Sequence, residues 1–135
     1  MKKFISHSEK ETKNLAKKLA KKLTGVIALI GELGSGKTTF AQGFAAGLGI
    51  KEKIISPTFV LIRQHRIPKT EKTLYHIDLY RIEEDFSKLG LKEILENPNN
   101  IILIEWAEKL KDLPKNTTKI LIQKQNTNKR VITLS

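Results

Sequence analysis

The chain contains no cysteine, which excludes disulfides, thiolate metal sites and thiol nucleophiles and gives no sign of an oxidising compartment. Long apolar runs are missing too. The longest, Val26 to Ile30, has a strand's length and falls far short of the ~20 residues that a membrane-spanning helix requires. The opening residues, MKKFISHSEKE, turn polar too soon for a secretory signal, so a cytoplasmic location with no membrane association is expected. Arginine is scarce: Arg63, Arg66, Arg81 and Arg130 are four of the 25 basic residues. The net charge of +11 attracts polyanions in general, but arginine is the usual tool for base edges and phosphate forks. The lysines are spread over every segment, as on a solvated surface. The charge therefore favours an acidic partner or a nucleic-acid-bound complex over autonomous nucleic-acid binding.

What is present fits one domain. A chain of 135 residues buries roughly two-thirds of its unfolded surface, and no repeat or low-complexity linker divides it. Lys3 to Ile5 has the pattern of a short edge strand. Ser8 and Glu11 have capping-box spacing for a helix starting near Glu9, along which Leu15, Ala16, Leu19, Ala20 and Leu23 recur at three-to-four-residue intervals until Gly25. Val26 to Ile30 is predicted as a buried strand, Gly31 to Gly36 as a loop, and Lys37 to Leu48 as a helix with Phe40, Phe44 and Leu48 on one face. Thr58 to His65 and Thr73 to Asp78 form a long-looped hairpin in this reading. Asp85 to Glu96 is a helix interrupted at Gly90, and Ile101 to Ile104 another buried strand. Lys119 to Lys124 and Arg130 to Leu134 make a C-terminal hairpin around Asn126-Thr127-Asn128. This order predicts an α/β fold with a mixed central sheet, parallel core strands and antiparallel hairpins.

Gly31-Glu-Leu-Gly34-Ser35-Gly36-Lys37-Thr38 satisfies G-x-x-x-x-G-K-S/T at every fixed position, between a predicted strand and a predicted helix. Each part has a chemical reason. The glycines let successive backbone N–H groups turn inward as an anion nest, and the helix N-terminus favours a phosphate. Lys37 can reach β- and γ-oxygens as a point charge, and Thr38 offers a hydroxyl to Mg²⁺. Gly34, Ser35, Gly36, Lys37, Thr38 and Thr39 are the expected ATP-binding residues.

Hydrolysis also needs a carboxylate at the end of a neighbouring strand. Ile101-Ile-Leu-Ile-Glu105 and Leu74-Tyr-His-Ile-Asp78 both end in one. Glu105 is expected beside the magnesium, with Thr38, and Asp78 in water orientation or more remote metal contact. Lys37, Asp78 and Glu105 form the expected catalytic set. Ser56, Pro57, Thr58 and Phe59 lie where a γ-phosphate-sensing loop often sits, although Ser-Pro also marks ordinary turns. Trp106 follows Glu105 directly and could report or gate nucleotide binding. His76, two residues before Asp78, shares that residue's sheet face and is placed to hydrogen-bond it.

G-E-L-G-S-G-K-T-T-F, S-P-T-F, H-I-D-L-Y-R and I-E-W-A-E, in this order and spacing, resemble the TsaE (YjeE) family of small bacterial P-loop ATPases from about residue 8 to residue 110. The resemblance implies a three-layer P-loop NTPase fold. It also implies a Mg²⁺-dependent ATPase needed to make N6-threonylcarbamoyladenosine at position 37 of tRNA, with ATP and Mg²⁺ as cofactors. The lack of an obvious arginine finger other than Arg81 predicts slow hydrolysis by the isolated protein, accelerated when a partner docks. The transfer itself would belong to a TsaD–TsaB complex on which the ATPase docks, leaving tRNA contact indirect. Carried over by motif, Lys37 and the nearby amides would hold phosphates, Thr38 and Glu105 Mg²⁺, and Asp78 would assist hydrolysis. Ser56 to Phe59 would form a switch-like loop, with Arg81 and Trp106 in supporting positions. The adenine would lie between the segment near Glu9 and the C-terminal strands.

Two other enzymes share such a loop. A GTPase would carry N-K-x-D, but Asn128-Lys129 is followed by Arg130 and Val131, which removes the guanine-reading carboxylate. A small-molecule kinase would close an arginine-bearing lid over its phosphates, and four arginines without a long insertion leave little material for one. A third possibility is a binding module in which ATP acts as a conformational ligand and hydrolysis is incidental.

Overall fold

Two strands that are apolar on both faces organise the molecule. In β2 (Val26–Ile30) the first four residues are buried, and in β5 (Asn100–Glu105) all six are, as expected of parallel strands covered from both sides. The computed structural model describes residues 2–52, 62–79, 90–110 and 113–135. The other described strands are β1 (Lys2–Ser6), β3 (Ile62–Arg66), β4 (Thr73–Asp78), β6 (Thr118–Lys124) and β7 (Arg130–Leu134). They form one seven-stranded sheet in the order β1-β7-β6-β2-β5-β4-β3. β6, β2, β5 and β4 run parallel. β7 joins β6 antiparallel, β1 joins β7 and β3 joins β4 in the same sense.

Side-chain alternation divides the core in two. Ile27, Leu29, Leu103, Ile120 and Ile122 face one side, where they meet Ala16 and Leu19 of α1 (Glu9–Ala20) and Phe40, Phe44 and Ala45 of α2 (Lys37–Gly47). Val26, Ala28, Ile77, Ile102 and Ile104 face the other side, with Leu91 of α3 (Leu91–Glu96) and Ala107 of a single 3₁₀ turn, Ala107–Lys109. Helices on both faces of a mixed sheet make this a three-layer α/β fold.

The Ser8 cap at α1 is realised, with the return bond one residue earlier than in a capping box. The Glu11 N–H donates to Ser8 Oγ at 3.1 Å, and the Glu11 carboxylate reaches back to the His7 N–H at 3.3 Å. The expected hairpin of β3 and β4 is present, with His65 opposite Leu74 and the Ile67 N–H donating to Lys72 O at 3.0 Å. β3 runs on to Arg66, past the predicted end at His65. Residues 58–61 of that predicted strand and 85–89 of the predicted third helix lie outside the described residues. α1 ends at Ala20, short of Leu23, because the chain tightens there: Lys21 and Lys22 donate to Lys18 O and Leu19 O. No helix among the described residues is long and apolar enough to cross a membrane.

Candidate functional site

The site lies at the C-terminal end of the parallel strands, where β2 delivers the chain into the glycine-rich loop. A Cβ on Gly31 would sit 2.7 Å from the Ile122 carbonyl oxygen of β6 and 2.6 Å from Ser35 Oγ, so only glycine lets the loop leave the sheet this closely. Gly36 has φ 110° and precedes α2 as its N-cap, a backbone state that side-chain-bearing residues rarely adopt. The choice has an electrostatic consequence. Gly36 supplies no side-chain cap, and the first turn of α2 holds no acidic residue. The unpaired N–H groups that begin every helix, and the positive end of its dipole, are therefore left for an outside anion.

Lys37 is buried, and its side chain folds back over the loop. Nζ donates to the Gly31 carbonyl at 2.5 Å and lies 3.8 Å from the centroid of the Trp106 ring. Desolvation by burial lowers its pKa below the ordinary lysine value, opposed by the charges of Glu105, Glu108 and Asp78. Trp106 itself has φ 61°, an uncommon state for a bulky residue that costs about 1–3 kcal/mol. The strained residue is the one that lies against the loop lysine.

Sheet register gathers the two carboxylates. Glu105 of β5 pairs with Leu29, the penultimate residue of β2, and Asp78 of β4 pairs with Glu105. Both carboxylates are buried. Alternation places them on the α1 and α2 face, with Leu103 and Leu74. His76 Nε2 donates to Glu105 Oε2 at 2.5 Å. The expected partner of His76 was Asp78 on its own strand, but the bond crosses to the neighbouring strand. In parallel pairing His76 stands opposite Leu103, one pleat from Glu105 on the same face. Asp78 is engaged in an interaction of its own. The described residues include no cluster of three or more His, Cys, Asp and Glu able to hold a metal. Magnesium does not need one, since it ordinarily keeps several waters and uses one or two protein oxygens with substrate phosphates.

A cleft of about 520 Å³ opens along the loop. Gly34, Gly36, Thr38 and Thr39 form one wall, Ser8, Glu9 and Thr12 at the start of α1 a second, and Thr127, Asn128 and Arg130 around the β6–β7 turn a third. The structure thus brings Gly34, Ser35, Gly36, Lys37, Thr38 and Thr39 into one continuous turn, with Glu105 and Asp78 on the strands beside it. Ser56, Pro57, Thr58, Phe59 and Arg81 lie outside the described residues. Arg130 was missed as a site residue: its Nε donates to the Ser35 carbonyl at 2.8 Å. No local motif links residues that are this distant in sequence.

A glycine loop between the central strand and its helix, with carboxylates ending the next two strands on one side, β5 and β4, defines the P-loop α/β class. Comparison with known proteins narrows this. A family model described as "Threonylcarbamoyl adenosine biosynthesis protein TsaE" matches residues 6–132. A Bacillus subtilis (strain 168) protein named tRNA threonylcarbamoyladenosine biosynthesis protein TsaE is 38% identical, over 98% of this chain and 84% of its own. A protein of the same name from Treponema pallidum is 39% identical, over 82% of this chain and 81% of its own. The crystal structure of Bacillus subtilis YdiB superposes with a TM-score of 0.82 at 34% identity, covering 98% of this chain and 83% of that one. The chain belongs to the TsaE family of tRNA threonylcarbamoyladenosine biosynthesis proteins.

Proposed function

We propose that the protein binds ATP with Mg²⁺ and hydrolyses it slowly on its own, coupling hydrolysis to a TsaD–TsaB transferase complex that modifies A37 of tRNA. The observation that carries this reading is the uncapped N-terminus of α2, at whose first position Lys37 stands, with two buried carboxylates in register beside it. A cleft of about 520 Å³ leads from the loop toward Glu9 and the C-terminal hairpin, which suits a base and ribose.

In this mechanism the amides of Gly34 to Thr39 orient the phosphate chain. Lys37 leaves Gly31 O and Trp106 and places its charge on the outer phosphates. Thr38 and Glu105 would hold Mg²⁺, which when bound neutralises charge developing on the phosphate oxygens. Asp78 orients the attacking water and accepts its proton. The described arginine at the site, Arg130, donates to backbone carbonyls, so charge stabilisation by arginine is left to the docked complex or to Arg81. Such a site turns over slowly alone.

Reconstitution with TsaD, TsaB and tRNA tests the proposal by scoring modified adenosine over several turnovers. Omission of this protein, or Lys37→Ala, should stop modification after the first turnover. Modification that continues equally without the protein would overturn the coupling and return a small-molecule kinase to consideration. Undiminished coupling by a variant that binds but cannot hydrolyse ATP would instead establish ATP as a conformational ligand.

A further inference from the structure

The guanidinium of Arg130 bridges two loops that are far apart in the chain. Its Nε donates to Ser35 O at 2.8 Å, with Nη2 3.4 Å from Gly34 O. On the opposite side Nη1 donates to Asn126 O at 2.9 Å and lies 3.3 Å from Thr127 O. The turn receiving this second set is itself closed. Asn126 Oδ1 accepts from the N–H groups of Asn128 at 3.0 Å and Lys129 at 2.9 Å, and the Gln125 N–H donates to Lys129 O at 2.9 Å.

The carbonyl contacts have a stereochemical consequence. In a trans peptide the C=O of one residue and the N–H of the next point in opposite directions. Drawing Ser35 O toward Arg130 turns the Gly36 N–H away from the guanidinium, and drawing Gly34 O the same way orients the Ser35 N–H, which donates to Glu32 O at 3.1 Å inside the loop. The Ser35 hydroxyl is buried without a hydrogen-bond partner among the described residues, and the bond that ties this residue to the C-terminal strands is the one its carbonyl accepts from Arg130. Gly36 has φ 110°, and a glycine at that position would sample many backbone states if nothing held its neighbours.

We propose that Arg130 is a positioning residue for nucleotide binding. It presets the amide directions of the phosphate loop and fixes the β6–β7 turn as the facing wall of the cleft. This rests on the reading of the cleft as a nucleotide site. Arg130 acts as a clamp and not as a phosphate contact, because its Nε and Nη1 are committed to carbonyl oxygens of the two loops. Lysine cannot replace it, since a single ammonium lacks the planar fork that spans both loops.

The test compares the full-length protein with Arg130→Gln, Arg130→Lys and Asn126→Ala, the last of which leaves the guanidinium in place and opens its anchoring turn. Hydrogen exchange at the Ser35 amide, which is bonded to Glu32 O, is followed without nucleotide, and the affinities for fluorescent ADP and ATP analogues are measured separately. The clamp predicts faster amide exchange in all three variants and affinity about tenfold weaker, by the same factor for di- and triphosphate. Parent-like exchange and affinity in Arg130→Gln and Asn126→Ala would overturn it. So would a loss confined to the triphosphate and restored in Arg130→Lys, the signature of a direct γ-phosphate contact. If the parent binds neither nucleotide, the nucleotide reading fails, and the exchange data still decide whether Arg130 holds the loop.

Discussion

The Lys37 ammonium lies 3.8 Å from the centroid of the Trp106 ring, within the range of a cation–π contact. The two residues belong to different strand-to-helix connections, one after β2 and the other after β5, and the parallel pairing of those strands brings them together. Phosphates bound at the N-terminus of α2, as proposed, would compete for the same ammonium. Trp106 is the chain's one tryptophan, so its fluorescence should change when ADP or ATP is added, and Lys37→Ala should abolish the change. An unaltered response in Lys37→Ala would mean that the lysine does not move between ring and ligand.

Burial holds the Lys37 pKa below 10.5, with a defined effect on stability. In the window between the lowered native value and 10.5, the unfolded chain keeps a proton that the native protein has released, so stability rises with pH there. Lys37→Met removes this term and leaves every other titrating group. The stability of the parent minus that of the variant, from urea unfolding without nucleotide, should increase across the window. A flat difference would contradict the depressed pKa.

The bond from His76 to Glu105 joins two buried side chains and fixes the orientation of the carboxylate proposed to hold magnesium. Groups in that position typically change metal affinity by about 10–100-fold when removed. His76→Leu should weaken Mg²⁺-dependent nucleotide binding about tenfold while sparing Mg²⁺-free binding. Glu105→Ala should weaken it further, and Asp78→Ala should mainly slow turnover. The reverse pattern for the two carboxylates, read by titration calorimetry and phosphate release, would exchange their roles.

Phe44 is fully buried beside Phe40, ring centroids 6.3 Å apart, on the face of α2 that meets the sheet. Phe44→Ala should destabilise the protein by about 3–5 kcal/mol in chemical denaturation, through lost transfer free energy and the cavity left behind. Leu33, at the tip of the loop and 69% exposed, provides the contrast: Leu33→Ala should change stability by no more than about 0.5 kcal/mol. A large loss at Leu33 would show that the loop tip packs against something in the folded protein.

Much of the fold was legible because its signals are local. A continuous apolar run at Val26 to Ile30, a cap at Ser8, a glycine-rich turn and a helical repeat of phenylalanines each act within a few residues. The carboxylates were legible for the same reason, each ending an apolar run. The bond from His76 to Glu105 was not, because the expected pairing with Asp78 considered one strand, and the partner is chosen by register between two. The placement of β6 beside β2, which carries the 126–129 turn to the phosphate loop, likewise has no signature within either segment.

The residues by themselves determined that a phosphate-type loop opens a helix, that Lys37 and Thr38 follow its last glycine, and that two strands end in acid. These depend on backbone stereochemistry and periodicity, which short stretches carry. Which groups touch depends on the packing of the whole chain: Lys37 on Trp106, His76 on Glu105, and Arg130 on Ser35. Contacts between residues distant in the chain follow from strand order and register, and those are selected by burial of the whole sheet between its helices, not by any one segment.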